Sequence, residues 1–187
     1  MSKAEISLSE VSPAQIAETL LVQYGLPVGF ASPPPGSGES APHIRQLYGG
    51  YSGSNYAVRL RSQNRAVCFK VCNGYAAEEV EQQAVIMNHV WQSGFTHACR
   101  ALPLKMMTKK RKKAKHPKLS FACERPQLPA PALVLSFVEG VAADKLLDRA
   151  PTLILGAVGQ RLAELHRVPV DPLRDVDWAA GSPYDTA

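Results

Sequence analysis

A single lysine in an apolar strand is the feature that most restricts how this chain can fold. Residues 66–71 read Ala-Val-Cys-Phe-Lys-Val, so Lys70 stands among β-branched and aromatic residues that favour a strand. Because side chains alternate along a strand, Cys68 and Lys70 share one face and the odd-numbered apolar residues share the other. Burying an unpaired ammonium group is costly, so Lys70 needs an anionic partner unless its side chain reaches solvent at the strand end.

Two further strand candidates precede this one, at residues 43–48 and 56–60. Gln63 and Asn64 predict a tight turn before residues 66–71, so the three strands form an antiparallel meander. The first two strands are separated by a glycine-rich turn: Gly49, Gly50, Tyr51, Ser52, Gly53 and Ser54. Missing side chains there let backbone N–H groups approach phosphate oxygens, and the serines can donate further hydrogen bonds. An ordinary hairpin turn is the alternative interpretation of the same residues.

A helix over residues 76–92 is predicted next, because apolar residues recur there at helical spacing. Glu81 borders the apolar stripe, and we expect its carboxylate to pair with the ammonium group of Lys70. Glu78 and Glu79 are alternative partners one turn earlier. A solvated helical glutamate is the competing interpretation of Glu81.

The N-terminal segment predicts a separate helix. Ser12 stands directly before Pro13 and three residues before Gln15, which is a capping-box pattern with proline at the first helical position. We expect this helix to run to residue 24 and to end at Gly25, which can adopt the left-handed conformation.

The second half of the chain carries further strand and helix signals. Residues 101–105 and 132–137 are strand candidates, and residues 119–123 are a weaker one. A helix is predicted from about Pro151 to His166. Its apolar stripe consists of Ile154, Val158, Leu162 and Leu165.

Composition narrows the class of protein. The chain has 21 basic and 16 acidic residues, but eight of the basic ones lie in residues 105–118, so the remainder is net acidic. Its four cysteines form no CxxC pair and lie at no zinc-ligand spacing with histidines, which predicts reduced structural thiols and no metal site. Neither a signal peptide nor an apolar run of membrane-spanning length is present, so we expect a cytoplasmic protein without membrane association.

The basic segment is interpreted as a hairpin excursion between two strands. Its core, Lys109, Lys110, Arg111, Lys112 and Lys113, has the composition of a nuclear-import signal or a nucleic-acid contact. No aromatic residue interleaves with these charges to stack on bases, so we expect a solvated loop rather than nucleic-acid binding. Nuclear import stays the alternative.

The order of these elements resembles a known family. Residues 47–58 (LYGGYSGSNYAV), residues 66–71, Glu81 and the stop at Gly94-Phe95 together resemble the aminoglycoside phosphotransferase, choline kinase and homoserine kinase superfamily, with hydroxylysine kinase-like members closest. The resemblance implies an α+β fold: a protein-kinase-like N-terminal lobe of antiparallel sheet plus helix, a hinge, and the first helices of an incomplete C-terminal lobe.

The resemblance also implies a function, namely ATP-dependent phosphorylation of a hydroxyl group on a small amine-bearing metabolite. It places Cys68 near adenine, Lys70 over the α- and β-phosphates, and the hinge at residues 135–140, with backbone groups of Ser136, Phe137 and Val138 bonding adenine. The expected nucleotide-binding residues are therefore the glycine-rich turn (Gly49, Gly50, Tyr51, Ser52, Gly53, Ser54), Lys70, Glu81, Ser136, Phe137 and Val138. The expected organisation is an N-terminal helix in residues 1–30, a linker at 31–43, the nucleotide-binding lobe at 44–137 with the basic loop at 105–118, and the hinge with the start of the second lobe at 138–187.

One expected segment is missing from the sequence. The superfamily carries His-Gly-Asp with an asparagine five residues on, and later a magnesium-binding aspartate, whereas no asparagine follows Asn88 here and Arg167 follows His166. Asp175 and Asp177 are interpreted as solvated tail residues. We therefore expect a truncated, catalytically inactive chain that holds at most a nucleotide, with magnesium bound only when the remaining lobe is present.

Truncation has a second expected consequence. The apolar stripe of the helix at residues 151–166 loses its packing partners, and an exposed stripe predicts aggregation or a protein partner. The alternative to an incomplete kinase is therefore a non-catalytic module that regulates by binding nucleotide or partner.

Overall fold

The computed structural model describes residues 11–29, 42–48, 53–61, 65–105, 120–140, 146 and 150–169. The chain divides into two compact units, Met1–Ala84 with Ala101–Phe137, and Val85–Arg100 with Val138–Ala187. Several predictions fall outside the described residues and stay predictions: Gly49–Ser52, the turn at Gln63–Asn64, most of the linker, the basic cluster Lys109–Lys113, and Asp175 and Asp177.

The first unit begins with the predicted helix. Helix α1 spans Pro13–Thr19 and continues as a π-helical turn over Leu20–Tyr24. Both capping-box bonds are present: the Ser12 hydroxyl accepts from the Gln15 N–H at 3.3 Å, and Gln15 Oε1 accepts from the Ser12 N–H at 2.8 Å. Gly25, at φ 67°, ends the helical segment in the left-handed conformation. The prediction for this segment is confirmed.

Four strands form one antiparallel sheet in the first unit. They are β1 (Ile44–Leu47), β2 (Ser54–Arg59), β3 (Ala66–Val71) and β4 (Ala132–Ser136), and each pairs with its neighbour in that order. The predicted meander is confirmed, although β2 begins at Ser54, two residues before its predicted start. The α+β fold agrees with the expected kinase-like N-terminal lobe.

The two faces of the sheet differ in burial along β2 and β3, whereas β4 is buried on both faces. Alternate residues of β3 are buried, including Phe69 at 0% exposure, and they form one core with Ile16 and Leu20 of the N-terminal helical segment. Burying side chains of this size contributes about 1.5–3 kcal/mol each. The strand register defines the other face, here named the lysine face, by Asn55, Ala57, Cys68, Lys70, Leu133 and Leu135.

Helix α2 spans Ala77–Gln92, as the sequence predicts. The Glu79 carboxylate accepts a hydrogen bond from the Ala76 N–H at 2.7 Å and so satisfies a donor at the helix start. Val80 and Ala84 are completely buried. Gly94, at φ 100°, follows the helix, and the next N–H, that of Phe95, donates to the carbonyl of Val90.

The strand predicted at residues 101–105 is wrong. Ala101 makes an isolated bridge to Leu135, after which the backbone donors turn to different partners. The Leu102 N–H donates to Val134, whereas the Leu104 N–H donates to Ser120. A β-strand must pair with the same neighbouring strand along its length, whereas this segment bonds first to Val134 and then to Ser120. Residues 119–123 likewise contribute a single bridge, from Cys123 to Ala132.

In the second unit, helix α3 spans Pro151–Leu165. No residue of α3 is buried. Among its exposed apolar residues are Leu153, Leu155, Val158 and Leu162. Of the predicted stripe, Val158 and Leu162 are exposed as expected, whereas Ile154 and Leu165 are half-buried. None of the described helices is both long and apolar enough to cross a membrane.

Candidate functional site

Lys70 is a half-buried cation with no counter-charge among the residues that the structure describes. It lies near the end of β3, directly opposite Asn55 of β2 and Leu133 of β4. Its ammonium group makes no ion pair or hydrogen bond with any residue in the described part of the chain. The charge acts on a neighbour: burial raises the pKa of the Cys72 thiol, and Lys70 partly opposes that shift.

Gly53 fixes the end of the glycine-rich turn against the same strand. A Cβ atom at position 53 would collide with the backbone carbonyl oxygen of Val71 and would lie 3.5 Å from Cys72 Cα. Ser54, the next residue, is buried and pairs with Val71 in the sheet. Only glycine permits this approach of two backbones. The turn therefore leads directly onto the strand end that carries Lys70.

Glu81 contacts a different part of the first unit from the one predicted. Its Oε2 atom accepts hydrogen bonds from the backbone N–H groups of Phe121 at 2.8 Å and Ala122 at 2.7 Å, and from the Ser120 hydroxyl at 3.3 Å. Backbone donors to a carboxylate make strong, charge-assisted hydrogen bonds.

The predicted ion pair between Glu81 and Lys70 is wrong. No such pair joins the two residues, both of which the structure describes. The alternative partners do not replace it, because Glu78 is exposed and Glu79 accepts from the start of its own helix. The physical reason is competition: moving the Glu81 carboxylate to Lys70 would leave two N–H groups at residues 121–122 without that acceptor.

The segment held by Glu81 is also held by Tyr24, a contact that the sequence did not reveal. The Tyr24 hydroxyl donates to the Phe121 carbonyl at 2.8 Å. Burial raises the pKa of this hydroxyl, and the nearby Cys123, Glu81 and Cys72 raise it further. Tyr24 therefore remains a neutral donor.

Backbone hydrogen bonds fix the residues on either side of the basic segment. The Leu104 N–H donates to Ser120 at 2.8 Å, and the Lys105 N–H donates to Gln23 at 2.6 Å. Residues 104–105 and 120–122 are thus fixed on both sides of the basic segment. These contacts depend on backbone atoms, which leave no signal in a sequence.

The expected hinge residues lie at the end of β4 and directly after it. Ser136 ends that strand opposite Val67 and is half-buried, whereas Val138 is 61% exposed. The chain passes from the first unit to the second between Phe137 and Val138. Their expected contact with adenine stays a prediction.

The second unit contains a shallow cavity apart from all the predicted site residues. Its lining is Ser93, Gly94, Phe95, Glu164, Arg167 and Val168. Arg161 donates hydrogen bonds to both carboxylate oxygens of Glu164, at 2.7 and 2.8 Å, and lowers the pKa of that carboxyl.

Within the described ranges no three His, Cys, Asp or Glu side chains converge as metal ligands, so we assign no magnesium ligand to these residues.

Comparison with known proteins identifies a family for the part of the chain that contains the sheet and Lys70. The family model described as the phosphotransferase enzyme family matches residues 43–186. That range includes all four strands, the glycine-rich turn, Lys70, α2 and α3. Searches of curated proteins and of solved structures returned no match. Because the family model covers most of the sequence, the chain belongs to the phosphotransferase enzyme family.

Proposed function

We propose that this chain binds ATP on the lysine face and forms the nucleotide-binding lobe of a hydroxylysine kinase-like enzyme. The parent reaction would transfer the γ-phosphoryl group to a hydroxyl of a small amine-bearing metabolite. One observation carries the proposal: Lys70 is half-buried, has no ion pair among the described residues, and directly precedes Val71, the β3 residue against which Gly53 fixes the end of the glycine-rich turn.

A half-buried lysine with no ion pair among the described residues favours a polyanionic ligand. At 4 Å, a phosphate charge and an ammonium group near a protein surface attract each other by about 4 kcal/mol. Backbone N–H groups of the turn at residues 49–54 would add hydrogen bonds to the same phosphates. In this proposal Glu81 keeps its backbone partners and binds no nucleotide.

The middle of the lysine face, next to Lys70, suits a base. Ala57, Cys68 and Leu135 lie opposite one another across three strands, and the first two are small and half-buried. We propose that adenine lies over these residues and bonds the backbone at Ser136–Val138. Magnesium would neutralise phosphate charge when bound, and its ligands would come from outside the described residues.

Equilibrium binding of ATP to the full chain tests the proposal. We expect Lys70→Met to weaken ATP binding at least tenfold without lowering the melting temperature, because the ammonium group makes no ion pair with any described residue. The matched control is Arg59→Met, which removes an exposed cation at the far end of the same face and should change affinity less than twofold. Equal weakening by both variants would show that ATP responds only to net charge.

Catalysis requires a separate assay. We expect these 187 residues to release no ADP when mixed with ATP, magnesium and 5-hydroxylysine, because the metal-binding asparagine that the family resemblance implies is missing. ADP release that depends on 5-hydroxylysine and on Lys70 would confirm the acceptor and contradict the inactivity.

A non-catalytic binding module is the second candidate, and the exposed residues of α3 favour it. Apolar side chains such as Leu153, 75% exposed, and Leu162, 49% exposed, are costly to leave in water. A chain that sediments as a single folded species, and whose ATP affinity is unchanged by Lys70→Met, would support this function over the first.

The proposed location is the cytoplasm, with nuclear import through Lys109–Lys113 as the alternative. Replacing those five residues with glutamine, together with microscopy of the tagged chain, separates the two. Nuclear signal that disappears in the variant would establish import, and an unchanged cytoplasmic signal would exclude it.

A further inference from the structure

Asn55 is a polar residue beside Lys70 on the lysine face. It is half-buried in β2, and its side-chain amide makes no hydrogen bond with any residue that the structure describes. In the described part of the chain, only Asn73 has a side-chain nitrogen or oxygen atom that is both unpaired and inaccessible to solvent. The amide of Asn55 is therefore open to an external ligand.

The register of the sheet places Asn55 directly opposite Lys70. Residues opposite each other in an antiparallel pair have their side chains on the same face, with Cβ atoms about 4.5–5.5 Å apart. The row continues to Leu47 of β1 beyond Asn55 and to Leu133 of β4 beyond Lys70. One amide and one cation thus lie side by side between two leucines, two residues after Gly53 brings the glycine-rich turn onto β3.

We propose that Asn55 is a further nucleotide-positioning residue, whose side-chain N–H donates a hydrogen bond to the phosphate group that Lys70 binds. This inference rests on the proposed function. An ammonium group on a flexible stem binds phosphate as a point charge, without a fixed direction. An amide on the neighbouring strand adds a second donor close to that charge, so the two groups together determine where the phosphate lies. The apolar side chains of Leu47 and Leu133 lower the local polarity, which strengthens both interactions.

Calorimetric binding of two ligands to the full chain tests this role. Asn55→Ala should weaken ATP binding about tenfold, the effect of losing a hydrogen bond to a charged group, and should change the affinity for adenosine, which has no phosphate, by less than about twofold. The matched control is Gln46→Ala, which removes a half-buried amide from β1 on the opposite face of the sheet and should change neither affinity.

Asn55→Asp tests the position of the side chain without a ligand. The substitution keeps the shape of the side chain but places a carboxylate opposite Lys70. It should therefore raise the melting temperature through a new cross-strand ion pair, and it should weaken ATP binding more than Asn55→Ala does. The rise should disappear when Lys70→Met is combined with it.

Each result decides the question. Equal weakening of ATP and adenosine by Asn55→Ala would overturn the inference, and so would a melting temperature that Asn55→Asp does not raise. If Lys70→Met weakens ATP binding and Asn55→Ala does not, the inference fails while the proposed function stands. If Lys70→Met has no effect, the proposed function fails and the inference fails with it. Should Asn55→Ala not fold, Asn55→Ser serves for the same comparison.

Discussion

The Oε2 atom of Glu81 lies 2.7 Å from the backbone nitrogen of Ala122, in a hydrogen bond that joins α2 to a segment 41 residues away. The bond from Phe121 doubles this link. It makes Glu81 a structural residue, and among the described residues no other carboxylate forms an ion pair with Lys70. The proposal that Lys70 binds an external anion rests on this arrangement.

Replacing Glu81 should destabilise the fold. Glu81→Ala leaves two backbone N–H groups without this acceptor, and we expect a loss of about 2–3 kcal/mol in unfolding free energy. Glu78→Ala, on the same helix but exposed, should change it by less than about 0.5 kcal/mol. Urea unfolding followed by circular dichroism measures both. Equal losses in the two variants would contradict the structural role of Glu81.

A double-mutant cycle tests whether Glu81 and Lys70 are independent. We expect the effects of Glu81→Ala and Lys70→Met on stability to add within about 0.5 kcal/mol, because the two side chains share no bond. A coupling energy clearly above that value would mean that the two charges interact in solution.

Gly53 should tolerate no side chain. Gly53→Ala forces a methyl group into the Val71 carbonyl oxygen, so the turn or the strand must move. We expect a loss of at least about 2 kcal/mol in stability and weaker ATP binding. The matched substitution Gly156→Ala in α3 meets no atom within 4 Å and should stabilise the helix by about 0.5–1 kcal/mol. Thermal unfolding of the two variants compares them, and a harmless Gly53→Ala would show that the turn does not pack on β3.

Stability should fall at alkaline pH because of Cys123. Burial raises the pKa of this thiol from 9.0 to about 11. The unfolded chain then loses the proton near pH 9 while the folded chain keeps it, so the unfolding free energy decreases between about pH 9 and pH 11. Between pH 8 and pH 10 the thiol should account for about 1 kcal/mol of that decrease.

Urea unfolding at pH 8 and pH 10 measures this decrease. Cys123→Ala should reduce it, leaving the contributions of Tyr24 and Cys72, whose pKa values are also raised. Cys99→Ala, at a half-buried site, should leave the decrease as it is in the wild-type chain. An identical decrease in Cys123→Ala would show that this thiol does not titrate differently on folding.

Much of the first unit could be predicted because its signals are local. The capping box at Ser12 and Gln15 and the alternation along β3 follow from the spacing of residue types over a few positions. The lysine face was predictable for the same reason. Each of these features depends on neighbours in sequence, and the structure contains them.

The contact of Glu81 could not be predicted because its donors are the backbone N–H groups of Phe121 and Ala122. Any residue types at positions 121 and 122 except proline offer the same N–H groups, so the sequence there carries no sign of the contact. The incorrect strand at residues 101–105 has a similar cause. Its residues have strand propensity, but Leu102 and Leu104 bond to different neighbours, and only the tertiary fold decides that.

Affinity labelling with an acyl-phosphate derivative of ATP tests the central claim most directly, because such a reagent acylates lysines close to bound phosphates. Digestion and mass spectrometry of the labelled chain should place the modification on Lys70, and free ATP should suppress it. Labelling confined to Lys109–Lys113, or labelling of Lys70 that ATP does not suppress, would contradict a nucleotide site on the lysine face.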